Sequence, residues 1–475
     1  MRKTVILCIA LAMLTLGTEA QTLIATSSYP NATENHNQRK IVRDLNDNIY
    51  VVFVDRINLE KTIKGVKFDQ KSKQWSNAIP IAKGDHPTLS ISRSGEIHLV
   101  FESDESVRKI KHSRTTDFIN WTPETTISDS ASNARIPVAD IDKSGNLNVL
   151  WIQENDGLTS SLIYARIQAD TLTLKKTVTT QKEINDIAIA NHLQYYSDVL
   201  IFALQHSTDS LQFFRTTDSL ASFDTIYSAR GSQPCISYNS FNGGDLAEES
   251  SIRMLYLDTL SQLVEVESTV APKNNNQLSV RKLSSNQTSY LCIDDVQAPI
   301  GYSFLFMQHE NLYHGFSCGA ECGWYTLLDT IQGNPLFPSL AYKTFSYDHI
   351  DFVWMKNNGN GYDIFYKRED KYRQVGIRDD ELGKGFSVTG YPNPFTDRLT
   401  ISITTVKQKE NPVIEIYNTN SQLIQTLIGR HTSSNHYSLV WDGTNQKNEK
   451  VTPGMYILLC RVGQVKTARK VFYAE

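Results

Sequence analysis

The sequence predicts an all-β protein, a seven-bladed β-propeller followed by a C-terminal immunoglobulin-like β-sandwich, and three observations carry that expectation. The first is a recurring hairpin. RIPVADIDKSGNLNVLWIQ, from Arg135 to Gln153, reads as a strand of alternating apolar residues, a polar turn at Lys143, Ser144 and Gly145, and a second strand ending on Trp151. HPTLSISRSGEIHLVF from His86 and RKIVRDLNDNIYVVF from Arg39 repeat it upstream, and FPSLAYKTFSYDHIDFVW from Phe337 repeats it downstream in degraded form. The second observation is the period. Aligned on the closing aromatic, Phe53, Phe101, Trp151, Phe202, Tyr256, Phe306 and Trp354 stand about fifty residues apart, within the range of propellers and other repeat arrays. The third is that each repeat continues with a third strand, such as SLIYARI at Ser161 or YDIFYKR at Tyr362, and then a fourth, with no helical periodicity between. Four antiparallel strands per repeat is the plan of a propeller blade.

The boundaries follow: residues 1–20 a leader, 21–375 the propeller, 376–389 a linker and 390–475 the sandwich. In the leader Arg2 and Lys3 precede the apolar run Val5 to Leu16, and small residues mark a cleavage site near Ala20. The mature chain has no stretch near the ~20 apolar residues that cross a bilayer, so no transmembrane segment is expected and the protein is read as exported. A net charge of -4 gives no basic footprint, which argues against a nucleic-acid partner. The strand TLIAT after residue 21 is a candidate to close the ring as the outermost strand of the last blade, and KYRQVGI at Lys371 is its rival.

Beyond the leader five cysteines remain, too few for a disulfide framework. Cys318 and Cys322 flank a tight turn and are the candidate disulfide; a zinc site joining them to His309 and His314 is disfavoured, because strand alternation sends those side chains to different faces. Cys235 and Cys292 hold equivalent positions in the first strands of repeats five and six. No metal and no cofactor is expected. Asp44, Asn46 and Asn48 mimic the start of a calcium loop but sit in an ordinary hairpin turn without the required glycine.

In a propeller the first strands line the central channel. The entries to those strands and the connections from second to third strands share the face that converges on it, so a ligand is expected there. The hairpins between third and fourth strands, with Asp69 and Trp75 or Asp117 and Trp121, resemble the Asp-box repeat of sialidase-like propellers, in which the Asp caps the turn and the Trp packs between blades. That resemblance makes these residues structural. It also sets Arg135, in its RIP motif, as one arginine of a carboxylate-binding set, although Pro87, Pro234 and Pro338 mark the proline as part of the repeat. Arg39, Arg56, Arg135 and Tyr290 are the candidate ligand contacts. Arg135, His86, Glu102, Asp104, Glu154 and His309 are the candidates for catalysis, since histidine and carboxylate pairs suit proton transfer; His206 belongs to the same class.

The tail resembles the type A C-terminal sorting domain of the bacterial type IX secretion system. The carrying residues are Pro392, Asn393, Pro394 and Phe395, the stretch WDGTNQKNEKVTPGMY with Gly443, Gly454 and Tyr456, and the terminal KVFYAE with Lys470. Where the family has glycine this chain has Asn448, the residue that best tolerates a left-handed backbone. The resemblance implies export across the outer membrane of a Bacteroidetes-type bacterium, the secretion machinery as partner, and a secreted or surface-attached location. The tripeptides Asp170-Thr171-Leu172, Asp209-Ser210-Leu211, Asp258-Thr259-Leu260 and Asp329-Thr330-Ile331 resemble that phylum's O-glycosylation acceptors, or open strands as plain turn residues. The expected function is binding of a glycan or surface-protein ligand; the alternative is a carbohydrate-active enzyme, a sialidase-like hydrolase or polysaccharide lyase.

Overall fold

The computed structural model describes residues 21–474 apart from 130, 143, 156–158, 182, 192–199, 207–208, 217–221, 240–250, 270–277, 285–286, 294–301, 309, 318–323, 327–330, 332, 342–348, 371–385, 392–394, 406–410, 419–421, 434–435 and 463–464. Among the described residues there are strands and turns but no α-helix. The chain divides into two units, Met1–Glu369 and Asp370–Glu475.

In the first unit the antiparallel ladders follow the repeats. Ala134–Ile141, Leu147–Glu154, Ser160–Gln168 and Thr171–Gln181 form one four-stranded sheet in chain order. Two long strands serve two ladders each. Ile79–Ile91 pairs with Glu60–Asp69 through Ile79 to Lys83 and with Ile97–Ser103 from Gly84 onward. Asp224–Asn239 changes partner likewise between Arg230 and Gly231. The N-terminal strand Thr22–Ser27 pairs with Tyr362–Asp370, so TLIAT completes the last sheet; the rival segment lies outside the described residues.

The middle strands read as nearly continuous apolar runs because both of their faces are covered. In Leu147–Glu154 alternate residues go to different neighbours: Leu150 and Ile152 pack with Phe202 of the next repeat, Val149 and Trp151 with Val100 of the preceding one. The closing aromatics mark these interfaces. Phe53, Phe101, Trp151, Phe202, Tyr256, Phe306 and Trp354 each fall in a different apolar cluster. The cluster holding Phe53 joins the first repeat to Val353 and Ile364 of the last.

The hairpin turns cap themselves. Asp44 Oδ1 accepts the amides of Asn46 and Asn48 at 2.8 and 2.9 Å, and Asp142 and Asp258 do the same for their own turns. The calcium-like spacing at Asp44 is thus turn chemistry. Asp117 Oδ1 accepts the amides of Ile119 and Asn120, while Trp75 stacks edge-on against Tyr366 of the last repeat at 4.9 Å, as the Asp-box resemblance implies. Cys235 and Cys292 are buried; Cys318 and Cys322 lie outside the described residues.

The second unit has two four-stranded antiparallel sheets with one shared core. Trp441 sits at its centre, 5.2 Å from Phe395 and 5.1 Å from Tyr456 between ring centroids. Gly443 has φ 72°, and a Cβ there would press on the Tyr473 ring at 2.9 Å. Asn448 adopts φ 62°, the left-handed conformation that its sequence position requires. Lys470 lies opposite Ile457 in the final ladder, while Pro392, Asn393 and Pro394 fall outside the described residues.

The packing scheme makes a graded expectation. Trp354 is fully buried between sheets, so Trp354→Ala lowers stability by about 3–5 kcal/mol, whereas Leu59→Ala, at an 86% exposed turn residue, stays within about 0.5 kcal/mol. Denaturant titration of both variants checks the contrast.

Candidate functional site

The inner strands of the six repeats after the first start with an irregularity. The register slips between Asp85 and Thr88, Arg135 and Val138, Ile184 and Asp186, Ser232 and Cys235, Ser289 and Leu291, and Leu336 and Ser339. At five of these bulges a non-glycine residue takes a positive φ: His86, Ile136, Gln233, Tyr290 and Phe337. The recurrent proline of the repeat sits at four of them, where a missing N–H leaves no orphan donor. What a bulge does leave is a carbonyl turned out of the ladder.

Those carbonyls are collected by one segment. Thr33 Oγ1 donates to Phe337 O at 2.8 Å, and Asn37 Nδ2 donates to both Ile187 O and Pro234 O at 2.9 and 2.8 Å. Gln38 Nε2 donates to Pro137 O at 2.9 Å and Lys40 Nζ to Pro87 O at 2.6 Å. His36 Nδ1 lies 2.7 Å from Leu291 O. In eight residues the chain satisfies a carbonyl from every repeat but its own. Arg39, a candidate ligand contact, is committed here as well: its Nη1 donates to Ala139 O and pairs with Asp140. Tyr290 packs on Phe337 beside the same segment. Beneath lies a cavity of about 20 Å³ lined by His36, Asn37, Gln38 and Cys292, among others, room for about one water.

Cys235, His36 and Asp186 have the spacing of a nucleophilic triad: Sγ to Nδ1 3.4 Å, Nε2 to Asp186 Oδ2 2.6 Å. The protons decide otherwise. Leu291 O can only accept, so Nδ1 must carry a hydrogen, and it is unavailable as a base for the thiol. Burial opposes charge on His36, but Asp186 and the Leu291 carbonyl outweigh it and hold its pKa above the usual value. Burial also pushes the Cys235 thiol far up, away from the reactive thiolate. The trio is a latch.

The remaining sequence candidates gather on the rim of the first three repeats. Glu102 Oε1 accepts the amide of Ile136 at 2.6 Å and lies 2.8 Å from His86 Nδ1. Burial works against a charged His86, and Glu102 more than offsets it. Asp85 receives Lys61 Nζ at 2.5 Å and the Tyr29 hydroxyl at 3.2 Å, Asp104 accepts the Lys61 amide, and the Arg56 guanidinium stands 5.1 Å over the Tyr29 ring. Further along, Arg108 Nη2 at 2.9 Å and Arg135 Nε at 3.3 Å share Glu154 Oε1, and Arg135 also donates to Ile184 O. The structure thus brings together His86, Glu102, Asp104, Arg56, Arg135 and Glu154 and adds Tyr29, Lys61, Asp85 and Arg108, which the sequence reading missed. It sends Arg39 and Tyr290 to the channel. His206 bonds Gln212 instead, and His309 lies outside the described residues.

Chemically the rim offers two arginines around a carboxylate and a histidine whose Nδ1 faces Glu102. The class this defines is an all-β, propeller-like unit followed by an export tail. Residues 389–473 match the model of the secretion system C-terminal sorting domain, in agreement with the resemblance read from the tail, which indicates type IX export to a secreted or cell-surface location. Among solved structures the chain is similar to a family PL25 polysaccharide lyase, an ulvan lyase bound to -[GlcA(1-4)Rha3S]-, with TM-score 0.51 and 10% identity over 73% of this chain and 95% of that one. It is also similar to the sialidase of Trypanosoma rangeli in complex with the inhibitor DANA, with TM-score 0.44 and 8% identity over 95% and 88%. A Hadza microbial sialidase gives 0.40 and 13% over 66% and 74%. At such identities the likeness concerns the fold. No curated protein matches the sequence. No helix among the described residues is long and apolar enough to cross a membrane.

The latch makes a pH expectation. His36 has a raised folded pKa, so its contribution is fully present below its ordinary 6.5 and is lost as pH rises through the folded value. His36→Gln therefore costs about 3–5 kcal/mol in acid to neutral buffer, and the deficit narrows at alkaline pH. Thermal unfolding of both proteins across pH checks it.

Proposed function

We propose that the chain is an exported seven-bladed β-propeller that binds an acidic glycan on the rim of its first three blades, with an immunoglobulin-like sandwich as its sorting tail. Splitting the two long strands where they change partner gives seven four-stranded groups, and seven apolar clusters, one per closing aromatic, support the same count. The observation that carries the function is the arginine pair. Arg108 and Arg135, from neighbouring repeats, hold one half-exposed carboxylate, Glu154, beside a channel already filled by residues 33–40. Guanidinium groups are suited to carboxylate and sulfate, and Arg56 and Lys61, the latter paired with Asp85, stand in the same cluster. The leader, Met1 to Ala20, takes the chain first to the periplasm and is removed there.

A second reading, a sialidase-like hydrolase or a lyase, draws on one specific feature, His86 held at Glu102 with the Tyr29–Asp85–Lys61 group alongside. Binding remains the conclusion, since Glu102 is already engaged by the Ile136 amide and Asp85 by Lys61 and Tyr29.

On a glycan array the protein retains uronate- or sulfate-bearing oligosaccharides over neutral ones, and binding weakens as salt rises. Arg108→Ala and Arg135→Ala each lower affinity about tenfold. A fluorogenic sialoside assay run alongside shows no turnover; turnover abolished by His86→Ala and Glu102→Gln would replace the binding reading with the enzymatic one.

A further inference from the structure

Arg108 and Arg135 each have an anchor that does not involve Glu154. Arg135 Nη2 donates to the Ile184 carbonyl at 2.7 Å, and Arg108 Nη1 lies 3.9 Å from Glu102 Oε2, a buried carboxylate that accepts the Ile136 amide at 2.6 Å. Asn133 holds the main chain on both sides of the pair. Its Oδ1 accepts the Arg108 amide at 3.0 Å, its carbonyl accepts the Glu154 amide at 2.8 Å, and the Ala134 amide donates to Arg108 O at 2.9 Å. The Glu154 side chain is held differently. Its contacts with the two guanidinium groups, 2.9 Å to Arg108 Nη2 and 3.3 Å to Arg135 Nε, both fall on one oxygen, Oε1, while the side chains of Glu154 and Arg108 are 36% and 38% exposed. An ion pair so open to solvent is weak, whereas an oxyanion that meets a guanidinium with two oxygens is held strongly.

We infer that Glu154 determines the specificity of this site: its carboxylate rests in the seat of the ligand's anionic group, a uronate carboxylate or a sulfate ester, and the ligand binds by displacing it. The inference deepens the reading of the rim as an acidic-glycan site and rests on it. When the glycan arrives, Glu154 turns outward about its own side-chain torsions, because its main chain stays tied to Asn133. The arginines keep their places through Ile184 O and Glu102, so the seat is already shaped before it is vacated and little ordering is needed on binding. A neutral sugar brings no charge with which to replace a carboxylate, so the resident side chain turns such ligands away, a device that works against the wrong partner rather than for the right one. The opposite role, in which Glu154 orients the arginines for the ligand, is made redundant by their separate anchors.

The test runs the parent, Glu154→Gln and Glu154→Ala as full chains on one array of uronate- and sulfate-bearing oligosaccharides, with calorimetric titration of the best-retained member of each kind. Both variants bind about tenfold more tightly than the parent, and with the resident carboxylate gone the affinity falls more steeply as salt rises. In an Arg135→Ala background, where the two-arginine seat is already broken, the gain from Glu154→Gln shrinks to less than about twofold. Asp129→Asn removes an equal charge from a 67% exposed carboxylate paired with Lys175 and leaves the affinity at the parent's level; equal tightening there would reduce the effect to net charge and overturn the inference. Tightening in the uronate arm or the sulfate arm alone supports the inference and names the anion. If the parent binds and both Glu154 variants bind equally or more weakly, the inference is overturned and the glycan reading stands. If neither parent nor variants bind, the glycan reading falls and the inference with it.

Discussion

Six carbonyls turned inward at the starts of the inner strands are the constraint on which the first unit depends. A bulge frees a backbone acceptor, and a buried acceptor without a donor costs roughly 1–3 kcal/mol. The chain answers with one short segment whose side chains, Thr33, His36, Asn37, Gln38 and Lys40, match those carbonyls around the axis. The consequence for function is direct. Residues 33–40 already bond to the axial carbonyls, while Arg108, Arg135, His86 and Glu102 stand away from that segment.

The same segment sets an unusual electrostatic balance. Burial pulls Lys40 down to about 7 while neighbouring Asp85 and Glu34 work to keep its charge, and His36 is held charged by Asp186. A charged His36 and a Lys40 amine whose charge burial opposes therefore sit inside the ring, each tied to an oxygen of a different repeat. An apolar plug would avoid the desolvation but leave the carbonyls unpaired; the polar segment accepts the desolvation and fixes which repeat each side chain addresses.

Much of the fold was legible. The closing aromatics announced the interfaces between repeats, because a large apolar group at a fixed phase has only the neighbouring sheet to bury against. Self-capping aspartates such as Asp44 and Asp142 were legible as turn residues for the same local reason. Glu102, Glu154, Arg56 and Arg135 could be assigned to one end of the strands by phase alone. The segment before the first repeat was not legible: residues 28–37 follow no repeat, and their partners lie up to 304 positions away in the chain. Arg39 misled because its place at a strand start suggested the open face, yet a tertiary contact with Asp140 draws it inward. Arg108, Lys61 and Tyr29 escaped because nothing in their local sequence distinguishes them from ordinary loop and strand-end residues.

Native-state hydrogen exchange is the most direct measure of the central claim. The Arg39 amide donates to Thr88 Oγ1 and the Lys40 amide to Ser339 Oγ, so both belong to the axial seal. If the seal is integral to the ring, these amides exchange only on global unfolding, as slowly as those of Phe53 and Trp151. Exchange at Arg39 and Lys40 by local opening, while Phe53 and Trp151 stay protected, would show the segment to be a loosely seated loop and return the channel to the list of places where a ligand can bind.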